Sequence, residues 1–235
     1  MSKLQVHRDV QLVCCGDPRQ LRAPQDSWKG VPASVTLEGS QMLASLCPTH
    51  VHLTTARRFD PPLQEFCDRV AKREESVVDL VAAARQLFRC AGPWDTTLCL
   101  THALRQTINI RTNRREFREQ APEESVELQG RDGPMIIWRD QRLIGAGWNP
   151  KVPNGAFVRV VGVGHETIVL EDASLSHAEA KKCLRLAHAI TIDASQSKTL
   201  PGKVRVLESG HQHMTHERLL VAASRATSSE LLAIH

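Results

Sequence analysis

Residues 219–227 read LLVAASRAT, an apolar run that delivers a single arginine, Arg225, near the end of the chain. A second block, residues 12–21, reads LVCCGDPRQL and lies near the start. Its apolar residues predict a buried strand, and Gly16-Asp17-Pro18 predicts a tight turn that presents Gln20. Each block therefore combines an apolar run with one polar side chain at its end, the place where functional side chains concentrate.

The composition is that of an ordinary folded protein. The 235 residues are 41% hydrophobic and 24% charged, enough for one large or two modest domains with a buried core. Lys plus Arg number 30 against 26 Asp plus Glu, so a polyanionic partner would have to meet a local basic face. The seven cysteines include no C-x-x-C pair, which predicts reduced and mostly packed thiols.

Neither a membrane span nor a secretory signal is predicted. No apolar stretch approaches the roughly 18 residues of a spanning helix. The first residues, MSKLQVHRD, lack the apolar region of a signal peptide. We therefore expect a soluble, intracellular protein without a membrane partner, and nuclear residence is the default for a eukaryotic source.

Strand and helix signals alternate along most of the chain, which predicts an α/β fold with a parallel sheet. A helix is expected after Pro61-Pro62, with Leu63, Phe66 and Val70 on one face. Further helices are expected at 76–89, 103–120 and 217–225, and strands at 10–15, 51–54, 98–101, 186–192, 204–207 and 231–234. Between about 129 and 172 the pattern changes to short β-type runs around an Asn154-Gly155 turn, which indicates a small β insertion.

Four segments, in register along the chain, resemble motifs of superfamily 1 helicases. Residues 12–21 and 221–227 resemble the third and sixth motifs, and in the sixth, V-A-L-S-R-A-T, only Ala223 departs. Residues 53–59, LTTARRF, resemble the fourth motif, a strand that ends in an arginine, here Arg58. Residues 189–199 resemble the fifth motif, T-x-H-K-S-Q-G-x-T. Its departures are Asp193, Ala194 and Ser197.

The turn at 152–155 followed by residues 157–161 is similar to the RecD-like and Pif-type branch, in which a small β-barrel interrupts the second RecA-like lobe. The resemblance implies an α/β fold with a RecA-like parallel sheet, an inserted barrel and a remnant of the first lobe. Residues 1–50 would be that remnant, 51–128 the first part of the second lobe, 129–180 the barrel, and 181–235 the closing part with the fifth and sixth motifs.

The resemblance also implies roles for individual residues. Gln20 would sense the γ-phosphate, and Arg58 and Arg225 would stabilise charge in the transition state, with Arg225 as the arginine finger. The implied nucleotide-binding residues are Gly16, Asp17, Gln20, Gln196 and Arg225. The implied contacts to single-stranded DNA are Thr191, Ser195, Lys198 and Thr199.

The resemblance implies an intact enzyme that hydrolyses ATP with Mg²⁺ to translocate on single-stranded DNA, in the five-prime-to-three-prime direction. The 235 residues contain no G-x-x-x-x-G-K-[ST] phosphate loop. We therefore expect a missing N-terminal lobe as partner, and neither ATPase activity nor tight nucleotide binding by the chain alone. Two alternatives stay open: a non-catalytic nucleic-acid-binding or regulatory module, favoured by Asp193 and Ala194, and a degenerate gene fragment.

Three weaker patterns have simpler interpretations. His211, His213 and His216 lack the cysteines or carboxylates that would complete a metal site, which favours a polar loop. Four arginines on one predicted helix could meet DNA phosphates, but Glu116 and Glu119 favour a solvated face; they are Arg111, Arg114, Arg115 and Arg118. Tryptophans could stack on bases, at Trp28, Trp94, Trp138 and Trp148, although Trp138 lies in an apolar run that is typical of a core.

Overall fold

A computed structural model describes residues 59–235 continuously and, before them, residues 27–28, 31–32, 41, 45, 49 and 51. The chain divides into two compact units, residues 1–57 and 58–235. In the first unit, β1 (Ser27–Trp28) pairs antiparallel with β2 (Val31–Pro32). The block at 12–21 and the segment that ends in Arg58 lie outside the described residues.

The second unit contains all the remaining described elements. In chain order they are α1 (Pro61–Lys72), α2 (Val77–Leu87), β3 (Thr96–Cys99), α3 (His102–Gln120), β4 (Ser125–Gly130), β5 (Gly133–Trp138), β6 (Arg142–Gly145), β7 (Phe157–Val163), β8 (Thr167–Leu170), β9 (Ser174–Ser176), α4 (His177–Cys183), β10 (Leu184–Leu186), β11 (Ala189–Thr191), β12 (Val204–Val206), α5 (His216–Ala223) and β13 (Leu232–Ile234). Short 3-10 turns lie at Asp193–Ser195 and Ser229–Leu231.

A parallel sheet forms the centre of this unit and confirms the predicted α/β class. Its strand order is β11-β3-β12-β13, and every pairing is parallel. The strands are short and almost wholly buried, as expected where helices cover both faces of a parallel sheet. The predicted strand at 186–192 is in fact two strands, because the chain leaves β10 at Leu186 and starts β11 at Ala189.

The first two helices follow their sequence signals. Asp60 caps α1 by accepting a hydrogen bond from the Leu63 amide, and Leu63, Phe66 and Val70 are buried as predicted. Helix α2 ends at Leu87, which is 57% exposed. Leu87 therefore lies outside the core, although its apolar spacing in the helix expected at 76–89 favours burial. Phe88, just beyond the helix, fills that place edge-on to Phe66 at 5.1 Å between ring centroids.

A polar stripe on α3 joins the central sheet to the β-rich part of the unit. Arg105, Asn109 and Asn113, four residues apart, share one helical face and are at most 3% exposed. The Asn109 amide donates to the Ala189 carbonyl (2.9 Å) and accepts from the Ala189 N–H (2.7 Å). Asn113 makes the same pair of bonds with the backbone of Ile136, at 2.8 and 2.9 Å. These two asparagine side chains therefore hydrogen-bond to the edges of β11 and β5 in the way that a neighbouring strand would.

Residues from Ser125 to Leu186 contain two antiparallel sheets and α4. Five strands have the order β10-β6-β7-β8-β9, and β4 and β5 form a separate hairpin. Both sheets contribute to one apolar cluster that includes Leu128, Ile137, Val160 and Leu184. Within the described pairings the order ends at β10 and at β9, so the expected closed barrel stays a prediction. Trp138 is 3% exposed, which confirms it as a core residue.

The Asn154-Gly155 turn is present, and two glycines allow it. Gly155 adopts φ +78°, and its N–H donates to the Gly145 carbonyl at 2.9 Å. At Gly145 a Cβ atom would lie 2.1 Å from the Pro153 carbonyl oxygen. Only glycine fits so close a backbone approach.

Most cysteines of the described part are buried. Cys67, Cys99 and Cys183 are buried, and Cys90 is partly buried. Burial raises the pKa of the Cys99 thiol to about 12. Such a thiol stays protonated and unreactive at neutral pH.

No helix among the described residues combines the length and the apolar character that crossing a bilayer requires.

His188 lies in the short connection between β10 and β11 and is uncharged at neutral pH. Burial, assisted by the charges of Arg142 and Arg115, lowers its pKa to about 4. Its Nδ1 atom lies 3.5 Å from Glu116 Oε1. Because the ring is neutral at pH 7, this contact is not an ion pair there. Burial also raises the pKa of Glu116.

We expect replacement of Asn109 by Ala to lower the free energy of unfolding by about 2–3 kcal/mol, because it leaves the buried N–H and C=O of Ala189 without partners. Urea unfolding monitored by circular dichroism measures the change. Thr107→Ala, at an exposed position of the same helix, is the matched control. If Asn109→Ala lowers the free energy of unfolding no more than the control does, the role of the Asn109 hydrogen bonds would be contradicted.

We expect stability to fall as pH decreases from about 6.5 to about 4, because His188 takes up its proton in the unfolded chain before it does so in the folded one. The predicted loss from this group is up to about 3 kcal/mol. His188→Asn should make the dependence shallower over this window, as measured by urea unfolding at several pH values. The exposed His165→Asn should leave it unchanged, and equal slopes in all three proteins would refute the assignment.

Candidate functional site

The segment at residues 191–199 forms a tight turn directly after the carboxyl end of β11. Thr191 Oγ1 accepts a hydrogen bond from the Ala194 amide at 3.2 Å. Ser195 Oγ donates to the Ile192 carbonyl at 2.7 Å, and the Ser195 side chain is fully buried. These hydroxyl groups therefore stabilise the turn from inside, while Lys198 is partly exposed and Thr199 is exposed.

Arg225 connects this turn to the end of α5. Its side chain is 1% exposed, and its Nη1 atom donates to the Lys198 carbonyl at 2.7 Å and to the Ser195 carbonyl at 3.3 Å. Nε donates to the Val221 carbonyl at 3.0 Å, and Nη2 donates to Ser224 Oγ at 2.8 Å. The Leu200 amide also donates to the Arg225 carbonyl at 3.0 Å. The structure thus brings together the segments that resemble the fifth and sixth helicase motifs.

The remaining predicted site residues differ in what the structure describes of them. Gln196 is partly buried and has a bonded partner. Lys198 Nζ lies 5.9 Å from the centroid of the Phe157 ring, so its stem runs toward β7. Gly16, Asp17, Gln20 and Arg58 lie outside the described residues. The roles of all these residues in binding nucleotide or DNA stay predictions.

The structure accounts for two departures from the fifth motif. Asp193 accepts hydrogen bonds from Arg218 Nε (3.2 Å) and Nη2 (3.3 Å), so its negative charge is offset by a guanidinium of α5. Arg218 also donates to the His213 carbonyl at 2.8 Å. Ser197, at the position of the motif's glycine, adopts φ +65°. In this left-handed conformation a serine costs about 1 kcal/mol more than a glycine would.

A second connection joins the start of α1 to the segment after Arg225. The Asp60 carboxylate accepts hydrogen bonds from the Ser229 amide at 2.9 Å and from the hydroxyl groups of Ser228 and Ser229. Although partial burial acts to raise it, the pKa of Asp60 is lowered by the hydrogen bonds from Ser229. Positions shortly after Arg58 and Arg225 in the chain are therefore in direct contact.

Glu208 occupies the amino end of α3. Its Oε2 accepts from the Leu100 and Thr101 amides, both at 2.8 Å, and its Oε1 accepts from Thr101 Oγ1 at 2.7 Å. Free amides at a helix start are a common phosphate site in α/β folds. Here the two amides just before the helix are bonded to the protein's own carboxylate, whose negative charge opposes the binding of an anion at this helix end.

The histidines near α5 do not converge. The rings of His211 and His213 are tilted by 42° to each other with centroids 5.2 Å apart, whereas His216 Nε2 lies 2.9 Å from the Glu75 carbonyl. Within the part of the chain that the structure describes, no three His, Cys, Asp or Glu side chains are placed to hold a metal ion.

Sequence reasoning missed several residues that build this region. They are Arg105, Asn109, Asn113, Glu208, Asp60 and Arg218. A signal existed for the first three, because polar residues at positions 105, 109 and 113 fall on one face of a helix that has few apolar residues. No local pattern indicates the bonds of Glu208 to Leu100 and Thr101, or of Asp60 to Ser228 and Ser229, because these partners lie far away in the sequence.

Comparison with protein-family models gives no match, and no curated protein sequence matches the chain. Solved structures do match. A Pif1 helicase from Candida albicans aligns with a TM-score of 0.55 at 16% identity, covering 96% of this chain and 64% of its own. A Bacteroides Pif1 helicase in complex with ADP-AlF3 and single-stranded DNA aligns with a TM-score of 0.55 at 16% identity, covering 93% and 60%.

A third structure, of two Pif1 helicases coordinating in the unwinding of forked duplex DNA, aligns with a TM-score of 0.58 at 16% identity. The alignment covers 86% of this chain and 57% of that one. The chain therefore spans about 60% of the length of the helicases it resembles. At these identities the likeness concerns the fold: this chain folds like the corresponding part of solved Pif1 superfamily 1 helicases.

Proposed function

We propose that this chain is the C-terminal portion of an ATP-dependent DNA helicase that couples ATP hydrolysis to translocation on single-stranded DNA and to duplex unwinding. The observation that carries the proposal is the bonding of Arg225 to the 191–199 turn. Two segments that resemble different helicase motifs, far apart in the sequence, meet at one guanidinium group. The fold likeness to Pif1 helicases, some solved with single-stranded DNA, supports the same conclusion.

The geometry suggests how the two motifs cooperate. Lys198, which is partly exposed, and Thr199, which is exposed, would meet DNA phosphates, whereas Thr191 and Ser195 maintain the shape of the turn. Arg225 holds the backbone of the same turn, so any movement of this guanidinium toward a nucleotide would move the DNA-contacting residues. An arginine that bonds either to the turn or to the nucleotide would couple nucleotide binding directly to DNA binding.

The nucleotide site would be shared with a first lobe. ATP with Mg²⁺, when bound there, supplies the phosphoryl group whose transfer drives movement. The phosphate side of that site would be formed by Arg225, Arg58 and Gln20. One guanidinium group can bond to two phosphate oxygens at once, and an amide can orient a water molecule. The contact between Asp60 and Ser229 supports the convergence of the Arg58 and Arg225 segments. The loop that cradles the phosphates would belong to the missing N-terminal lobe.

DNA binding by the 235-residue chain tests the first part of the proposal. A labelled oligothymidylate should bind in fluorescence anisotropy, with an affinity that falls as salt rises. Lys198→Gln should reduce the slope of log affinity against log salt by about 0.7, the value for one phosphate contact on a single strand. Lys181→Gln, at an exposed lysine of α4, is the matched control. Absence of binding, or equal effects of both variants, would contradict this assignment.

ATP turnover tests the second part. The chain alone should show none, with or without single-stranded DNA, whereas the chain joined to a first lobe that carries a phosphate loop should show DNA-stimulated turnover. In the joined protein Arg225→Gln should lower kcat by about 10³-fold, as removal of an arginine finger does. Arg139→Gln, at an exposed arginine outside this region, serves as control, and thermal melting verifies that both variants fold. An unchanged kcat in Arg225→Gln would exclude the finger role.

A module that binds nucleic acid without turnover is the alternative. Its main support was the carboxylate of Asp193, which would repel a polyanion. Because Arg218 offsets that charge, the structure weakens the reason for preferring it. DNA binding by a joined protein that lacks turnover would favour the module.

A further inference from the structure

Helix α3 presents a face of four arginines that the proposed function does not use. Arg111, Arg114, Arg115 and Arg118 follow one another at intervals of three, one and three residues, so they lie on one side of the helix. All four are exposed and line one shallow depression together with Glu119. We call this surface the arginine face.

The charge of the arginine face is largely unopposed. Arg115 pairs with Glu119 at 3.7 Å, but both side chains are more than 60% exposed, and such pairs contribute little. Across residues 59–235 no ion pair involves Arg111, Arg114 or Arg118. The second carboxylate expected to balance this face, Glu116, turns to His188, whose neutral ring does not offset it. The four arginines exceed the two glutamates by about two charges, which favours a polyanionic partner.

The helix holds this face rigidly in place. At 100° per residue, Arg111 lies about 200° around the axis from Asn109, so the arginine face is opposite the buried polar stripe. That stripe bonds α3 to β11, to β5 and, through Arg105 and Asp132 at 2.6 Å, to the β4–β5 turn. The arginines thus lie on a surface that needs no ordering of the backbone before it binds.

The arginine face is separate from the 191–199 turn. Asn109 contacts Ala189, the first residue of β11, and the arginines follow Asn109 along a helix that runs antiparallel to the strands. They therefore lie beyond the amino end of β11, whereas the turn follows its carboxyl end. The three residues of β11 separate the arginine face from the 191–199 turn, so a single nucleotide cannot contact both.

We propose that the arginine face binds the sugar-phosphate backbone of duplex DNA, as a second DNA contact that rests on the proposed helicase function. Arg111 to Arg118 span about 10.5 Å along the helix axis, the rise of about three nucleotides in one strand of B-DNA. Surfaces for single strands add aromatic side chains on which bases stack. The aromatic residue nearest in sequence, Phe117, is instead partly buried against Trp138, with ring centroids 6.0 Å apart. Contacts to phosphate alone suit a duplex.

The test measures binding of the 235-residue chain to a labelled 20-base-pair duplex and to a single strand of the same length, from about 50 to 200 mM salt. The variant Arg111→Gln/Arg114→Gln/Arg118→Gln should reduce the salt slope for the duplex by about 2.7, for three lost phosphate contacts. Duplex affinity at low salt should fall at least about tenfold. Replacement of the same three residues by Lys should restore most of the slope, because phosphate neutralisation needs only a point charge.

Three exposed arginines elsewhere provide the matched control, Arg89→Gln/Arg139→Gln/Arg159→Gln, which should retain duplex binding. Equal losses in both triple variants would mean a general charge effect and would overturn the proposal. So would a duplex slope unchanged by the first variant, no duplex binding by the unaltered chain, or a loss confined to the single strand. Lys198→Gln separates the two proposals, because it should weaken single-strand binding whether or not the arginine face binds duplex.

Discussion

The structure depends on two side-chain amides that hydrogen-bond to the backbone of two strand edges. Asn109 and Asn113 each satisfy both polar backbone groups of one residue, in β11 and in β5 respectively. A buried strand edge without such partners would carry unsatisfied N–H and C=O groups, each costing about 1–3 kcal/mol. Helix α3 can therefore border a parallel sheet and an antiparallel hairpin at once. Its bonds to β11 hold in place the strand from which the 191–199 turn starts.

A second constraint organises the candidate site. Arg225 is fully buried and yet charged, and a buried charge is stable only when its donors are satisfied. Backbone carbonyls of the turn and of α5 satisfy them. The turn is thus stabilised by the residue that the proposed mechanism requires to respond to nucleotide. This is consistent with a site in which one guanidinium has two alternative sets of partners.

The sequence predicted what depends on local pattern, and missed what depends on distant pairing. The parallel sheet, the helices starting at Pro61 and near Ala103, the Asn154-Gly155 turn and the burial of Trp138 follow from periodicity and turn chemistry. The division of the 186–192 run into two strands does not, because both halves are apolar and only their partners differ. For the site, the resemblance indicated which segments matter. It did not indicate that Ser195 and Arg225 are buried, or that Arg218 compensates Asp193, since these facts depend on residues brought together by folding.

The chain passes between the central sheet and the β-rich part only twice, after α3 and at Ala187-His188. The second passage is just two residues long, and β10 and β11 on either side of it pair with different sheets. With Asn113 and Arg105 bonding the two parts as well, independent swivelling of the β-rich part is strongly restricted. A movement of the 191–199 turn would therefore be transmitted to the β-rich part as well.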